Sequence, residues 1–342
     1  MVKGRVGMLE FMIDLFHIDD AFRDYITNRL LPLVEIPVSS CRVEIPLMGR
    51  KSCIRLVRGE GGKGYIVRAF RGRDLSMAYQ LYRADDILEK NRIPAPRLVD
   101  FAEKYSRKGV TFIAEEYLSG EIWANLEMTD IPARNLGTIL AKLHSVTSEL
   151  WGSIDEGKRK REGFGRSQFR RVRHRLHRVR KFSPDTVTPA EFRAVREWFR
   201  GFFPRLDAIS SFQLVHDKLN GGNILLSPGQ DLFFLDFATL QYGYRGKDIA
   251  QAEILLLNKD KELVRAFRED YFSRFPEPVK EEYDNFSRFY RAYQHLSRSA
   301  SNIRRDYESR TRNHQFKTDY YNRFLNHWRA LWSIVEGTDD QK

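Results

Sequence analysis

The sequence has little cysteine and no long apolar run. Its two cysteines, Cys41 and Cys53, are too few for a disulfide framework or a cysteine-based metal site, so we predict reduced, structural thiols. No apolar stretch approaches the roughly 18 residues that a membrane-spanning helix needs. Glu10 and Asp14 interrupt the apolar start of the chain, which argues against a secretory signal and predicts an amphipathic helix. We therefore expect a globular, cytoplasmic protein.

Acidic residues are almost missing from one segment. The chain of 342 residues has a formal net charge of +12, and residues 158–181 contain twelve Lys and Arg against the single acid Glu162. The apolar residues of this segment recur at helical spacing, at Phe169, Val172, Leu176 and Val179. This spacing predicts a helix with a narrow apolar stripe and basic residues on every other side. Since like charges three or four residues apart repel, an anionic partner would stabilise such a helix.

Two interpretations of this basic segment stay open. It is either a solvated helix docked through its stripe, or a surface for an anionic partner. The candidate partners are a phosphorylated or carboxylated acceptor, an anionic membrane surface and nucleic acid. Nucleic acid is the weakest of the three because the aromatic residues available for base stacking are few, namely Phe164, Phe169 and Phe182. A membrane partner would place the protein at the inner face of a membrane.

Hydrophobic periodicity divides the chain into three parts. Residues 1–37 predict a helical extension, residues 38–118 a strand-rich lobe, and residues 119–342 a mostly helical lobe with a basic insertion at 157–182. The strand-rich lobe has five apolar or alternating runs and one helical run. The predicted strands cover residues 41–46, 53–57, 65–70, 97–102 and 110–117, and the predicted helix covers about 74–90.

Residues 213–240 combine the polar groups of a kinase catalytic loop and metal-binding strand. An apolar run delivers His216, Asn223 follows seven residues later, and a second apolar strand ends in Asp236. Phosphoryl transfer uses such an Asn and Asp to hold the metal that bridges the nucleotide phosphates, while the His supports the loop. Burying the carboxylate of an Asp at the end of an apolar strand is unfavourable unless it binds a partner, and this favours a metal role for Asp236.

Several segments in order resemble the aminoglycoside phosphotransferase and choline kinase group of the protein-kinase-like superfamily. The resemblance spans about residues 41–255. Its segments are Leu47–Ser52, Tyr65–Arg68, Ile93–Leu98, Phe112–Glu121, Leu136–Val146, the loop at 213–240 and Asp248–Ala250. The resemblance implies a bilobal α+β fold, with a small antiparallel-sheet N-lobe and a larger helical C-lobe. It also implies ATP and Mg²⁺ as cofactors.

The resemblance assigns the candidate site residue by residue. Gly49 and Ser52 lie in the loop over the nucleotide phosphates, and Arg68 stands where a strand offers a basic phosphate partner. The hinge, Glu116 to Leu118, would contact adenine through its backbone. Metal binding would fall to Asn223 and Asp236, and Asp248 would brace the catalytic loop.

Two positions depart from the group's pattern. Counting back from Asn223, the catalytic Asp of H-x-D-x-x-x-x-N is replaced by Lys218, and an Asp sits one residue earlier at Asp217. Lys218 could abolish base catalysis, pair with the transferred phosphate, or leave Asp217 to approach the acceptor after a slip of the loop. The resemblance places a Glu in the small-lobe helix to pair with the basic strand residue, but the helix reads Tyr79–Leu81 there. Asp85 or Asp86 could substitute only if the helix is shifted.

Three functions follow as hypotheses. The first is a phosphotransferase that moves the γ-phosphate of ATP to a hydroxyl of a small-molecule or lipid-linked acceptor. The second is a pseudokinase that binds nucleotide or scaffolds partners through residues 158–181, suggested by Lys218 and the missing helix Glu. The third is a membrane or nucleic-acid binder that uses the kinase fold only as a scaffold.

Overall fold

A computed structural model describes residues 20–45, 53–59, 62–105, 109–311 and 317–338. The chain divides into two compact units. The first contains the chain up to Asn125 together with Gly222–Thr239, and the second contains Leu126–Gly221 together with the chain from Leu240. Of the helices in the described ranges, none is both long and apolar enough to cross a membrane.

The elements up to Asn125 are mostly strands, as the apolar alternation predicts. A helical stretch, α1, occupies residues 20–33 and includes the π-helical segment Ile26–Leu30. The strands are β1 (Arg42–Glu44), β2 (Cys53–Arg58), β3 (Gly64–Phe70), β4 (Leu98–Ala102), β5 (Thr111–Glu116) and β6 (Glu121–Ile122), with helix α2 (Leu75–Lys90) between β3 and β4.

The elements after Asn125 are mostly helices. The helices are α3 (Asp130–His144), α4 (Phe164–Phe182), α5 (Pro189–Gly201), α6 (Phe203–Asp207), α7 (Gly246–Gln251), α8 (Lys261–Phe272), α9 (Glu277–Thr311) and α10 (Lys317–Glu336). The strands are β7 (Thr147–Ser148), β8 (Trp151–Ser153), β9 (Arg159–Lys160), β10 (Phe212–Val215), β11 (Ile224–Leu226), β12 (Leu232–Phe234) and β13 (Gln241–Gly243).

The main sheet of the first unit is antiparallel, in the order β1-β2-β3-β5-β4. Alternate residues of a strand face opposite sides of its sheet. On one side, Val67 and Phe112 form a buried cluster with Phe22, Tyr25 and other apolar residues of α1. Arg68 falls out of phase with this cluster and therefore belongs to the other side of the sheet.

Hydrogen bonds also fix α1 on the sheet. Asp100 of β4 accepts from the Tyr25 hydroxyl at 2.8 Å and from Nε of Arg29 at 2.7 Å. The Tyr25 ring stacks on Phe112, with 4.5 Å between the ring centroids. The segment that the sequence predicted as a helical extension is thus an integral layer of this unit within its described part, residues 20–33.

A three-stranded antiparallel sheet, in the order β12-β11-β6, also belongs to the first unit. Its centre is the hairpin of β11 and β12, in which Ile224 pairs with Phe234 and Leu226 with Leu232. The hairpin is anchored because the Phe234 N–H donates to the Pro94 carbonyl at 3.1 Å. This brings residues from late in the chain into the unit built by the first 125.

The second unit combines helices with a five-stranded antiparallel sheet, in the order β7-β10-β13-β8-β9. Its central strand pair joins β10 to β13, with Val215 opposite Gln241. Helices α3 and α8 pack closely, since a Cβ on Gly137 would lie 2.5 Å from the Phe267 carbonyl oxygen. Only glycine allows that approach.

Candidate active site

The loop that follows β10 is held by a single buried carboxylate. Asp248, near the start of α7, accepts the backbone N–H of His216 at 2.6 Å and that of Asp217 at 3.0 Å. Its side chain is fully buried. A carboxylate that accepts two backbone donors fixes both peptides, because each donor would otherwise be buried without a partner. Asp248 therefore braces the loop, as the sequence predicted.

A buried histidine completes this brace. His144 Nε2 lies 3.4 Å from Asp248 Oδ2, and its Nδ1 lies 2.7 Å from the Tyr271 hydroxyl. Burial lowers the pKa of His144, against the raising effect of Asp248. We therefore assign a neutral ring that donates from Nε2 to Asp248 and accepts from Tyr271 at Nδ1.

Asp248 itself is ionised. Burial alone would raise its pKa, but the hydrogen bond from His144 and the charges around it, including Lys247, hold the pKa of Asp248 below its ordinary range. The negative charge strengthens both hydrogen bonds to the loop, since ionised acceptors bind N–H donors about twice as strongly as neutral ones.

Asp217 lies between two cations. Lys247 Nζ donates to Asp217 Oδ1, and Arg171 of α4 approaches the same oxygen at 3.8 Å. The backbone of Asp217 has a φ of 67°, a left-handed conformation that is uncommon outside glycine, although Asp and Asn adopt it more readily than other residues. A hydrogen bond also fixes the turn that follows, because the Leu219 N–H donates to Gln251 Oε1 at 2.6 Å.

Lys218, which the sequence predicts at the catalytic position, has an exposed side chain. Its carbonyl accepts from the Asn220 side chain at 3.0 Å. Of the two adjacent candidates, Asp217 is half-buried and contacts Lys247 and Arg171, whereas Lys218 is exposed.

A small pocket with a mixed polar and apolar lining lies beside Asp217. Its volume is about 10 Å³, roughly the room that one water molecule needs. Besides Asp217, it is lined by Arg171, Gln241, Lys247 and Tyr290. The Tyr290 hydroxyl is buried and has no hydrogen-bond partner among the described residues. The pocket thus offers a carboxylate, two cations and an unsatisfied hydroxyl to one small polar group.

In the first unit, the β11–β12 hairpin brings the two predicted metal ligands to one end. Asn223 precedes β11 and Asp236 follows β12, and the Leu235 N–H donates to the Asn223 carbonyl at 2.9 Å. This bond continues the strand pairing by one residue pair, so Asn223 and Asp236 are close neighbours. Asp236 has a φ of 60°, so the strand ends abruptly there and the regular alternation of side chains is broken.

Arg68 does have an acidic partner, on a strand rather than on the helix. Its Nε lies 3.1 Å from Oε2 of Glu115 on β5, although the N–H is not aligned for a hydrogen bond. Ile66 is paired with Glu115 in the ladder, so Arg68 and Glu115 are diagonal neighbours on one face. Of the two substitutes considered from the sequence, Asp85 instead accepts the Leu98 N–H at 2.9 Å, and Asp86 pairs with Lys90 at 2.8 Å.

Glu115 also connects Arg68 to the end of the hairpin that carries Asp236. Burial raises the pKa of Glu115, Arg68 opposes this, and the nearby carboxylates of Asp236 and Asp85 raise it further. The first unit therefore places the carboxylates of Glu115, Asp236 and Asp85 near the Arg68 guanidinium. This combination is suited to a metal ion with a polyanion.

The remaining predicted nucleotide contacts are those of the hinge and of the loop that contains Gly49 and Ser52. In the hinge, the Glu116 N–H donates to the Arg97 carbonyl and the Tyr117 N–H to the Gly64 carbonyl, so neither amide is available to a ligand. The side chain of Glu116 is exposed and that of Leu118 half-buried. Gly49 and Ser52 lie outside the described residues.

The basic segment, residues 158–181, contains β9 and all but the last residue of α4, and the helix extends beyond the apolar stripe at both ends. Val172, Leu176 and Val179 are buried, and Phe169 is half-buried. Some cations of the segment turn inward: Arg175 donates to Ser297 Oγ at 2.6 Å and lies over the Tyr293 ring. Others are exposed along the outward side of the helix, namely Arg166, Arg170, Arg173, Arg180 and Lys181. The apolar stripe docks α4, and the outward basic face remains open to solvent.

Comparisons with known proteins place the chain in a family. A model of the phosphotransferase enzyme family matches residues 54–275, about two thirds of the sequence. The chain belongs to the phosphotransferase enzyme family. A comparison with curated proteins found no match.

Solved structures share the fold of this family member at low identity. A protein from Ralstonia eutropha assigned as an aminoglycoside phosphotransferase is 15% identical, with a TM-score of 0.65 over 87% of this chain and 93% of its own. Spectinomycin phosphotransferase is 14% identical, with a TM-score of 0.57 over 91% and 98%. The ethanolamine kinase of Plasmodium vivax is 16% identical, with a TM-score of 0.57 over 88% and 84%. These likenesses confirm the predicted α+β kinase-like fold.

Sequence reasoning missed three contacts of this phosphotransferase family member. They are the pairing of Arg68 with Glu115 and the contacts of Asp217 with Lys247 and Arg171. The first carried a signal, because Glu115 interrupts a buried strand and a charge there requires a partner. The other two carried none, since Arg171 and Lys247 are far from Asp217 in the sequence.

Proposed function

We propose that this protein is an ATP- and Mg²⁺-dependent phosphotransferase that acts on a hydroxyl of a small or lipid-linked, anionic acceptor. The observation that carries the proposal is the loop at Asp217, which is held by Asp248 and Gln251 in a left-handed conformation. Uncommon backbone conformations persist where the surrounding structure over-determines them, and they cluster at functional sites. Two buried side chains, Asp248 and Gln251, would not be needed to fix a loop that has no function.

The first unit would supply the nucleotide and metal half of the chemistry. Asn223 and Asp236 offer oxygen ligands of the kind that Mg²⁺ prefers. Within the described residues no group of three or more His, Cys, Asp or Glu is arranged for a metal ion. Nucleotide-bound Mg²⁺ does not require one, because phosphates and water complete its coordination. When bound, the ion would neutralise charge on the β- and γ-phosphates. Arg68 would add a fixed cation for the same phosphates, with Glu115 keeping its guanidinium in place.

Support for a nucleotide also comes from the fold. A spectinomycin phosphotransferase of this fold has been solved with ADP and spectinomycin. By analogy, adenine would be met by the backbone of the hinge. The Glu116 and Tyr117 amides are already used, so the proposal assigns this contact to the Leu118 N–H and to hinge carbonyls.

The second unit would supply the acceptor half. The pocket beside Asp217 has room for one small polar group, and we assign it the acceptor hydroxyl. Asp217 would accept the hydrogen bond of that hydroxyl and orient its oxygen for attack on the γ-phosphate. Lys247 and Arg171 would hold the Asp217 carboxylate in position. Lys218, exposed one residue later, would add a positive charge without contacting the hydroxyl.

The outward basic face of α4 would favour an anionic acceptor or an anionic membrane surface. Its five exposed cations, Arg166, Arg170, Arg173, Arg180 and Lys181, raise the local concentration of anions. A phosphorylated small molecule or a lipid-linked sugar phosphate would meet this requirement.

Thermal unfolding tests the nucleotide half. We expect ATP with Mg²⁺ to raise the melting temperature, since a ligand at 100 times its dissociation constant stabilises the folded state by about 2.7 kcal/mol. The rise should shrink when EDTA removes the metal. The same measurement with ADP and with GTP tests whether the base contributes. If no nucleotide changes the melting temperature with or without Mg²⁺, the pseudokinase interpretation replaces this one.

Two neighbouring variants test the acceptor half. We expect Asp217→Asn to lower kcat by about a hundredfold, within the range for loss of a positioned base, with the affinity for Mg²⁺-ADP unchanged. Lys218→Ala should lower kcat less than tenfold, because its side chain only adds charge nearby. Transfer of the γ-phosphate of labelled ATP, to water if no acceptor is found in a screen of amino sugars and sugar phosphates, provides the rate. A larger loss in Lys218→Ala than in Asp217→Asn would reverse the two roles.

A further inference from the structure

A second cavity of the helical unit lies where α4 ends and α5 begins. Its volume is about 550 Å³, within the range of about 300–1,000 Å³ that is typical of small-molecule sites. Its lining combines apolar side chains, among them Val187 and Phe192, with Arg180, Arg193 and Arg196. Counted along α4 from Arg171 to Ser183, the cavity lies about 18 Å from the contact with Asp217, because a helix rises about 1.5 Å per residue. It is therefore distinct from the pocket beside Asp217.

The charges of this cavity are unbalanced. None of the described residues that line it is acidic. Arg196 is paired with Glu197 at 2.8 Å. Arg180 and Arg193 are exposed, and neither has an acidic partner within 4.0 Å in the described part of the chain. Two arginines that line one cavity without a carboxylate are suited to a phosphate or carboxylate, because the guanidinium offers several donors in one plane.

A buried hydroxyl in the same wall points to a ligand. Ser183 is only 5% exposed and lines the cavity, yet its Oγ has no hydrogen-bond partner among the described residues. Leaving a buried hydroxyl unsatisfied is unfavourable, and an acceptor oxygen from a bound molecule would satisfy it. The start of α5 does not compete for this role, because Thr188 and Glu191 cap it reciprocally.

We propose that this cavity binds a phosphate monoester carried on an apolar group. The phosphate would lie on Arg180 and Arg193 and accept from Ser183 Oγ. The apolar group would pack on Val187 and Phe192. The same chemistry is found in a lipid with a phosphate headgroup and in a soluble organic phosphate. The proposal does not depend on phosphoryl transfer, since the cavity shares only Arg180 with the outward basic face of α4 and none of its residues lines the pocket beside Asp217.

The test measures binding of dihexanoyl phosphatidic acid, below its micellar concentration, to the full-length protein by isothermal titration calorimetry. Inorganic phosphate and dihexanoyl phosphatidylcholine serve as comparison probes and should bind more weakly. We expect Arg180→Gln and Arg193→Gln each to lower the affinity for the phosphatidic acid about tenfold or more, as for the loss of a charged hydrogen bond. Vesicles with and without phosphatidic acid then distinguish a membrane lipid from a soluble phosphate, and either source supports the site.

Two further variants keep the test specific. Arg173→Gln removes the same charge from the exposed face of α4 but does not line the cavity, so it should leave the affinity unchanged. Ser183→Ala should weaken binding without lowering the melting temperature, because the free protein loses only an unsatisfied hydroxyl. Equal losses in Arg173→Gln and Arg180→Gln would overturn the proposal in favour of a diffuse basic surface. So would a wild-type protein that does not bind the probe.

Discussion

The Asp236→Ala variant is expected to lose at least about a hundredfold of its phosphoryl-transfer rate, together with the Mg²⁺-dependent part of its stabilisation by ATP. The physical reason is that Asp236 is the carboxylate at the proposed metal-ligand end of the β11–β12 hairpin. Without it, the negative charge that develops on the phosphates is no longer neutralised by a fixed metal ion, which contributes several kcal/mol to such reactions. The measurements are γ-phosphate release and melting temperature with ATP, each with and without Mg²⁺.

A matched control comes from the same hairpin. Asp231 is an exposed carboxylate in the turn between β11 and β12, and its backbone N–H donates to Ser227 Oγ at 3.1 Å. Asp231→Ala removes the same charge from the same element, yet both the rate and the response to Mg²⁺ should stay within about twofold of the wild type, since surface substitutions have small effects. If Asp236→Ala behaves like this control, the assignment of the metal site is wrong.

The Asp248→Asn variant is expected to be less stable by about 3–5 kcal/mol, the usual loss when one partner of a buried charged network is removed. Asp248 accepts two backbone donors with two oxygens. An asparagine has one oxygen and one NH₂ group, so one of the His216 and Asp217 amides would face another donor. The loop would then leave its left-handed conformation, and the turnover per folded molecule should fall as well. Urea unfolding gives the stability, and rates corrected for the folded fraction give the turnover.

The pH dependence of stability isolates the charge of Asp248. Its pKa in the folded state is below the ordinary value of 3.8. The stability that it contributes is therefore complete above pH 4 or so and is lost as the pH falls through the folded-state pKa. The wild type should lose this contribution in acid, and Asp248→Asn should not. The difference between their unfolding free energies should thus shrink below pH 4 or so.

Glu253→Gln separates the loss of stability from the loss of the loop. Glu253 is also buried, pairs with Arg268 at 2.7 Å and accepts from the Tyr283 hydroxyl at 3.0 Å. Its replacement should destabilise the protein for the same reason as Asp248→Asn but leave the turnover of the folded fraction unchanged. A fall in turnover as large as that of Asp248→Asn would mean that activity follows stability and not the position of the loop.

Local patterns gave much of the fold. The predicted strand at 65–70 and helix at about 74–90 differ by one residue from the observed Gly64–Phe70 and Leu75–Lys90. The same patterns predicted that His216, Asn223 and Asp236 lie beside the ends of apolar strands. Each of these predictions rests on neighbours within one or two turns of chain, where period-2 and period-3.6 alternation is strong. They did not reveal that the hairpin of β11 and β12 belongs to the unit built by the first 125 residues, because its anchor is the distant carbonyl of Pro94.

What the sequence by itself determined is the class of fold and the position of each candidate group along the chain. What only the tertiary structure decided is which groups act on one another. Arg68 meets Glu115 because two strands pair in one register, and Asp217 meets Arg171 and Lys247 because α4 and α7 pack beside the same loop. The cavity at Ser183 exists because one helix ends where the next begins. The physical reason is that side-chain periodicity reports which face of an element is buried, whereas charge pairs and cavities depend on which elements share that buried space.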